Sequence, residues 1–173
     1  MLRRARFWLV VLIVGLVLSG VTAFPLDHGS AWLVRIAERL PPDQCPGFVL
    51  DWLHTVRTGI HETWTRYPFI AYGTDWLAFA HLTIAAAFWG PLRDPVRNIW
   101  VVRWGLLACA GIIPLALICG PLRGIPFWWS LVDISFGVFG ALPLLLAYRW
   151  IRRLERAAPA AAVERGAATA ATA

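Results

Sequence analysis

Apolar residues run almost unbroken through four stretches of the chain, 7–24, 76–89, 100–119 and 128–150. The breaks between them carry arginine, glycine and proline, and tryptophans stand at or near the ends of the last three stretches. A bilayer's hydrocarbon core needs about 20 apolar residues of α-helix to cross it, and indole rings settle at the headgroup level. The pattern predicts an all-α integral membrane protein: a four-helix transmembrane bundle with spans at 7–24, 74–90, 98–119 and 130–150.

Between the first two spans, residues 25–73 change rhythm. Trp32, Ile36 and Leu40 recur at helical spacing over 31–40, where Ser30 is placed to cap, and Pro41-Pro42 ends the run. After Cys45-Pro46-Gly47, the residues Val49, Leu53, Val56, Ile60 and Trp64 form an apolar stripe beside a polar one of Asp51, His54, Thr58, His61 and Thr65. Two amphipathic helices are expected, lying against the membrane surface or the ends of the bundle.

Arginine placement sets the orientation. Arg3, Arg4 and Arg6 precede the first span, Arg93 and Arg97 lie in the loop 91–97, and Arg149, Arg152, Arg153 and Arg156 follow the fourth span, whereas the loop 120–129 carries only Arg123. The positive-inside rule then makes 1–6, 91–97 and 151–173 cytoplasmic, and 25–73 and 120–129 extracytoplasmic, in a multi-pass inner-membrane protein. Residues 1–23 also fit a signal peptide, with a basic start, an apolar run and Val21-Thr22-Ala23 as small residues at a cleavage point. An uncleaved anchor is favoured because apolar character continues to Phe24; both termini are then cytoplasmic. The Ala-rich tail has no apolar stripe to bury and is expected to be disordered.

Composition narrows the partners. A hydrophobic share of 59% and a mean hydropathy of +0.63 exceed what one soluble core of this length hides. All sixteen basic residues are arginine, scattered at span flanks where they can snorkel to lipid headgroups, with no basic stripe to follow a polynucleotide. The bilayer is the partner, with a membrane protein or a second copy beside it; nucleic acid is not. Arg103, inside the third span, is expected to snorkel between Trp100 and Trp104, with Asp94 as an alternative partner.

Ionisable residues within or near the spans are the candidate chemistry. Asp75, His81 and Asp133 fall in the extracytoplasmic half and Arg123 lies in the loop above them, so the four are candidates for one ligand-binding cluster. The reading depends on where the second helix starts. From Thr74, with Gly73-Thr74 as break and cap, Asp75 is interfacial; from Pro68 it lies about 10 Å inside at 1.5 Å per residue. The start at Thr74 is favoured. Asp133 also stands at capping-box spacing from Ser130.

Asp51, His54 and His61 are secondary candidates. The two histidines share a face but lie about 10 Å apart along the axis, too far for adjacent ligation of one metal, so no metal is expected. Cys45 and Cys119, both extracytoplasmic, could form a disulfide, and no CxxC or thiolate quartet is present. Gly15 with Ser19, and Gly137 with Ala141, are small residues four apart that allow close helix approach. Pro114 and Pro143 should bend their helices. Gly90-Pro91-Leu92-Arg93 and Gly120-Pro121-Leu122-Arg123 echo one another, which simple helix termination explains without an internal repeat.

No P-loop, GxSxG or HExxH motif is present. The leading expectation is a non-enzymatic accessory or scaffold subunit of the inner membrane with no cofactor. The alternatives are a redox or small-ligand protein holding quinone or haem through His81 with Asp75 or Asp133, and a small proton-coupled transporter.

Overall fold

The computed structural model describes residues 1–171, with side chains through 157. Seven helices follow one another: α1 (Leu2–Ala23), α2 (Leu26–Ala37), α3 (Gly47–Arg66), α4 (Pro68–Ala87), α5 (Trp89–Arg93), α6 (Ile99–Leu122) and α7 (Phe127–Ala171). No strand occurs among the described residues. Among the described residues three helices are long and apolar enough to cross a membrane: α1, α6 and the first part of α7. The second expected span lies in α4, which Asp75 and His81 interrupt and which is not among these three.

The chain divides into two compact units, one of Met1–Val14 with Ala85–Ala173 and the other of Gly15–Ile84. In the first, α6 and α7 pack along one another. Glycine makes this approach feasible. A β-carbon on Gly105 would come within 2.8 Å of the Phe88 ring and 3.1 Å of Leu144, both fully buried side chains, and one on Gly137 would come within 2.8 Å of the Cys109 carbonyl oxygen. Leu9, Val102 and Ile151 are also fully buried in this unit.

Polar contacts finish the ends of this unit. The Arg6 guanidinium donates to the carbonyls of Leu92 (3.0 Å) and Arg93 (3.1 Å), satisfying acceptors that the end of short α5 leaves open. Arg4 and Arg153 both lie against the Trp150 ring, 4.8 and 4.7 Å from its centroid. Arg103 lies 5.8 Å from the centre of Tyr148, so its charge meets an aromatic ring on α7 instead of Asp94. Asp94 instead accepts the Arg97 amide and shapes the turn into α6. At the other end of α6, Gly124 takes φ 67°, and the amides of Gly124 and Ile125 return to the carbonyls of Pro121 and Gly120. This is a Schellman closure, whose left-handed residue favours glycine.

The second unit pairs α2 with α3 and brings α4 against the end of α1, where a β-carbon on Gly20 would meet the Ala78 carbonyl at 3.0 Å and Leu82 at 3.1 Å. Val34, Ala37, Leu53, Ala71 and Ala78 are buried here.

Several expected boundaries move. α2 begins at Leu26, ahead of Ser30, whose hydroxyl donates to the Asp27 carbonyl within the helix and does not cap it. α4 begins at Pro68 and not at Thr74: Pro is pre-shaped for a first helical turn, and the Thr74 hydroxyl donates back to Ala71 at 2.7 Å, so Gly73 does not break the helix. α7 begins at Phe127, which puts Ser130 and Asp133 inside the helix and removes the capping box; Ser130 is buried against Gly120. Backbone helix continues through the tail expected to be disordered, to Ala171, in keeping with alanine's intrinsic preference. The two Gly-Pro-Leu-Arg sequences also differ in structure, one falling within α5 and the other closing α6.

The small-residue pairs divide. Gly137 is a close contact, but a β-carbon on Gly15 would meet nothing within 4 Å, and the glycine packed on α1 is Gly20. Gly137→Ala should therefore destabilise the protein by about 1–3 kcal/mol, because a backbone carbonyl cannot swing aside. Gly15→Ala should be neutral or stabilising by up to about 1 kcal/mol through helix propensity. Thermal unfolding of both variants in detergent checks the contrast; equal melting temperatures would reject it.

Candidate functional site

The most concentrated side-chain electrostatics among the described residues lie between α2 and α3. The Pro41-Pro42 turn reverses the chain, and Pro46 sets the entry to α3, so the two helices run antiparallel. Residues at the start of α2 then face the later turns of α3, and residues just past the end of α2 face its middle.

Asp27, in the first turn of α2, accepts a hydrogen bond on Oδ1 from Nη1 of Arg57. Nδ1 of His61, one turn further along α3, lies 3.3 Å from the same oxygen and 3.4 Å from Nη2 of Arg57. The side chains of Asp27 and Arg57 are only 17% and 23% exposed, which protects the pair from full solvent screening, whereas His61 is 54% exposed. Partial loss of solvent acts to raise the Asp27 pKa, but hydrogen bonds from Arg57 and His61 and their charges outweigh it and hold the carboxyl below its ordinary value. A second, looser pair joins the same helices: His54 Nε2 lies 3.5 Å from Glu38 Oε1, both about half exposed.

This arrangement is a brace. Asp27 already serves two donors on α3, so it is poorly placed to act as a general base. No group of three or more His, Cys, Asp or Glu side chains suited to a metal occurs among the described residues. The cross-links resist separation of α2 from α3 and add directional contacts to the buried Val34, Ala37 and Leu53.

Two of the secondary candidates, His54 and His61, meet side chains at or beside α2. His54 meets Glu38, His61 meets Asp27 and Arg57, and Asp51 is exposed. Asp27, Arg57 and Glu38 are the residues that sequence reasoning missed. The available signal was Pro25 just ahead of Asp27, the signature of a helix opening with an acidic first turn. The pairing itself depends on how two helices fold back, which spacing within either helix does not reveal.

The primary candidates are spread over both units. Asp75 and His81 are on α4 but on different faces of it, and the Nδ1–H of His81 donates to the Leu77 carbonyl at 2.8 Å. Arg123 is exposed at the end of α6 and Asp133 is half-buried in α7; no ion pair joins them among the described residues. Cys45 is half-buried in the turn before α3, in the second unit, and Cys119 is exposed on α6, in the first. Comparison with protein-family models, curated proteins and solved structures finds no match for this chain.

Because the folded-state pKa of Asp27 is depressed, its contribution is complete above the ordinary carboxylate range, near 4, and is lost as pH falls through the depressed value. Asp27→Asn should lower stability at neutral pH by about 1 kcal/mol or less, in keeping with a partly exposed ion pair. It should also flatten the acid limb of the stability profile. Amide hydrogen exchange across α2 and α3 at a series of pH values reads this directly; an unchanged profile in Asp27→Asn would show that the brace does not hold the hairpin.

Proposed function

We propose that the chain is a four-span protein of the cell inner membrane with both termini cytoplasmic, and that the α2–α3 hairpin is exported and serves as the docking element of an accessory or scaffold subunit. The observation that carries this reading is outward apolar surface. In the most apolar windows of α1, α6 and α7, only 22%, 17% and 28% of residues are buried. Such surface is stable against lipid and unstable against water.

Local chemistry in α4 supports a fourth span. Its 20 residues reach about 30 Å at 1.5 Å per residue, enough to cross the hydrocarbon. Thr74, His81 and Thr83 each return a hydrogen bond to a carbonyl of their own helix, which lowers the cost of carrying them into lipid. The accessory role draws on the hairpin, where Trp32 and Phe48 are 63% and 60% exposed on a scaffold braced by Asp27, Arg57 and His61. Exposed aromatics on a fixed frame suit attachment to a partner or to the membrane surface.

Single cysteines test the topology once Cys45, Cys109 and Cys119 are replaced by Ala. In intact cells whose outer barrier admits the reagent, a membrane-impermeant maleimide should label Asp43→Cys and reach Arg156→Cys only after the membrane is opened; the reverse pattern rejects the orientation. Native mass spectrometry of the gently solubilised chain tests the role. A fixed-stoichiometry assembly with a second protein or copy, indifferent to His81→Ala, is the expected result. A stoichiometric cofactor lost in His81→Ala would overturn it in favour of a ligand-carrying protein.

A further inference from the structure

One face of α4 combines aromatic rings with an unneutralised charge. Tyr72, Asp75, Trp76 and Phe79 stand at i, i+3, i+4 and i+7, the spacing that brings side chains onto a single helix face. Phe24, just past the end of α1, joins them, and the five residues line an open cleft of about 320 Å³. The Trp76 ring meets both aromatic neighbours edge to face, Tyr72 at 6.0 Å and 79° and Phe79 at 6.3 Å and 88°. The rings thus form walls turned in different directions and do not close into a stack. All four aromatic residues are between 44% and 59% exposed, while Asp75 between them is half-buried.

Asp75 has no ion-pair partner among the described residues, and no basic side chain lines the cleft. The lining is almost wholly apolar, and Asp75 is the one acidic residue in it, with no base to oppose it. A divalent metal is a poor fit, because Ca²⁺ or Mg²⁺ wants several oxygen ligands and a single carboxylate beside a phenol does not supply them. Aromatic faces with one carboxylate suit a large, weakly hydrated cation, whose charge is drawn to the ring faces while its methyl groups fill the apolar walls. We propose that the cleft formed by Phe24, Tyr72, Asp75, Trp76 and Phe79 binds a quaternary ammonium group. The volume falls at the small end of ligand sites and holds such a group with room to spare. At 1.5 Å per residue Asp75 lies about 10 Å along α4 from Pro68.

The full chain in dodecyl maltoside, dialysed to equilibrium against radiolabelled choline, tests the assignment. Wild type should bind saturably, in competition with tetramethylammonium but not with sodium. Asp75→Asn and Trp76→Leu should each weaken binding by about tenfold or more. Asp75→Glu should retain it, and so should Asp51→Asn, which alters an exposed acid outside the cleft. Native mass spectrometry from nanodiscs of mixed phosphatidylcholine and phosphatidylglycerol separates the two sources. Enrichment of phosphatidylcholine lost in Asp75→Asn identifies a lipid headgroup, and choline binding without enrichment identifies a free amine. Wild type that neither binds choline nor enriches phosphatidylcholine overturns the proposal, independently of how the variants fold. Undiminished binding by Asp75→Asn would overturn it too, since rings serving only as interfacial anchors are indifferent to that carboxylate.

Discussion

Hydrocarbon offers no hydrogen bond to a peptide group, and that constraint governs the molecule. Every amide in a lipid-facing segment needs its partner within the same helix, so apolar runs become long helices and the irregular backbone is confined to their ends. The same constraint removes the usual reason for helices to associate, since lipid is as apolar as a leucine side chain. Close packing has to supply it. Gly105, Gly120 and Gly137 are among the places where this happens between α6 and α7, each with a neighbouring atom where a β-carbon would sit. The end caps meet the same demand. Arg6 covers carbonyls at the end of α5, and the turn at Gly124 covers those at the end of α6.

The α2–α3 pair is held by different means. Its buried set is small, Val34 and Ala37 on one helix and Leu53 on the other, which leaves the geometry under-determined by apolar burial alone. Charge pairs across the hairpin supply direction. The Asp27–Arg57 pair is sheltered enough to act through hydrogen-bond geometry, whereas the half-exposed His54–Glu38 pair is screened by water and weighs less. A hairpin fixed this way can hold Trp32 and Phe48 outward without losing its fold.

Legibility from sequence followed the range of the interactions involved. The stripe Val49, Leu53, Val56, Ile60 and Trp64 locates α3 because its period is local, and the apolar runs locate α1, α6 and the first part of α7 for the same reason. The start of α4 at Pro68 is hidden in the sequence because Gly73-Thr74 has the composition of a break. A single mid-helix glycine costs only about 1 kcal/mol, and Thr74 turns its hydroxyl onto its own helix, so the break never forms. Gly15 and Gly20 show the limit of small-residue patterns: both are glycine on one helix, and only the latter faces a neighbour. The Asp27–Arg57–His61 brace was invisible in principle, being a contact between segments whose alignment depends on the turn that joins them.

Asp27 and Asp75 together show how placement, and not residue type, decides what a carboxylate does. Both are aspartates in the N-terminal half of a helix and both are only partly exposed. Asp27 faces an arginine and a histidine on a packed neighbour, so its charge is consumed in holding two helices together. Asp75 lines a cleft with four aromatic residues and no basic one, so nothing in that lining offsets its charge. Keeping such a group half-buried is unfavourable unless a cation arrives or water reaches it. Starting α4 at Pro68 is what creates this situation, because it draws Tyr72 into the helix and onto the face of Asp75, Trp76 and Phe79. Had the helix begun at Thr74, Asp75 would have been an ordinary first-turn acid favoured by the helix dipole, and the rings around it would have been anchors without a charge to surround.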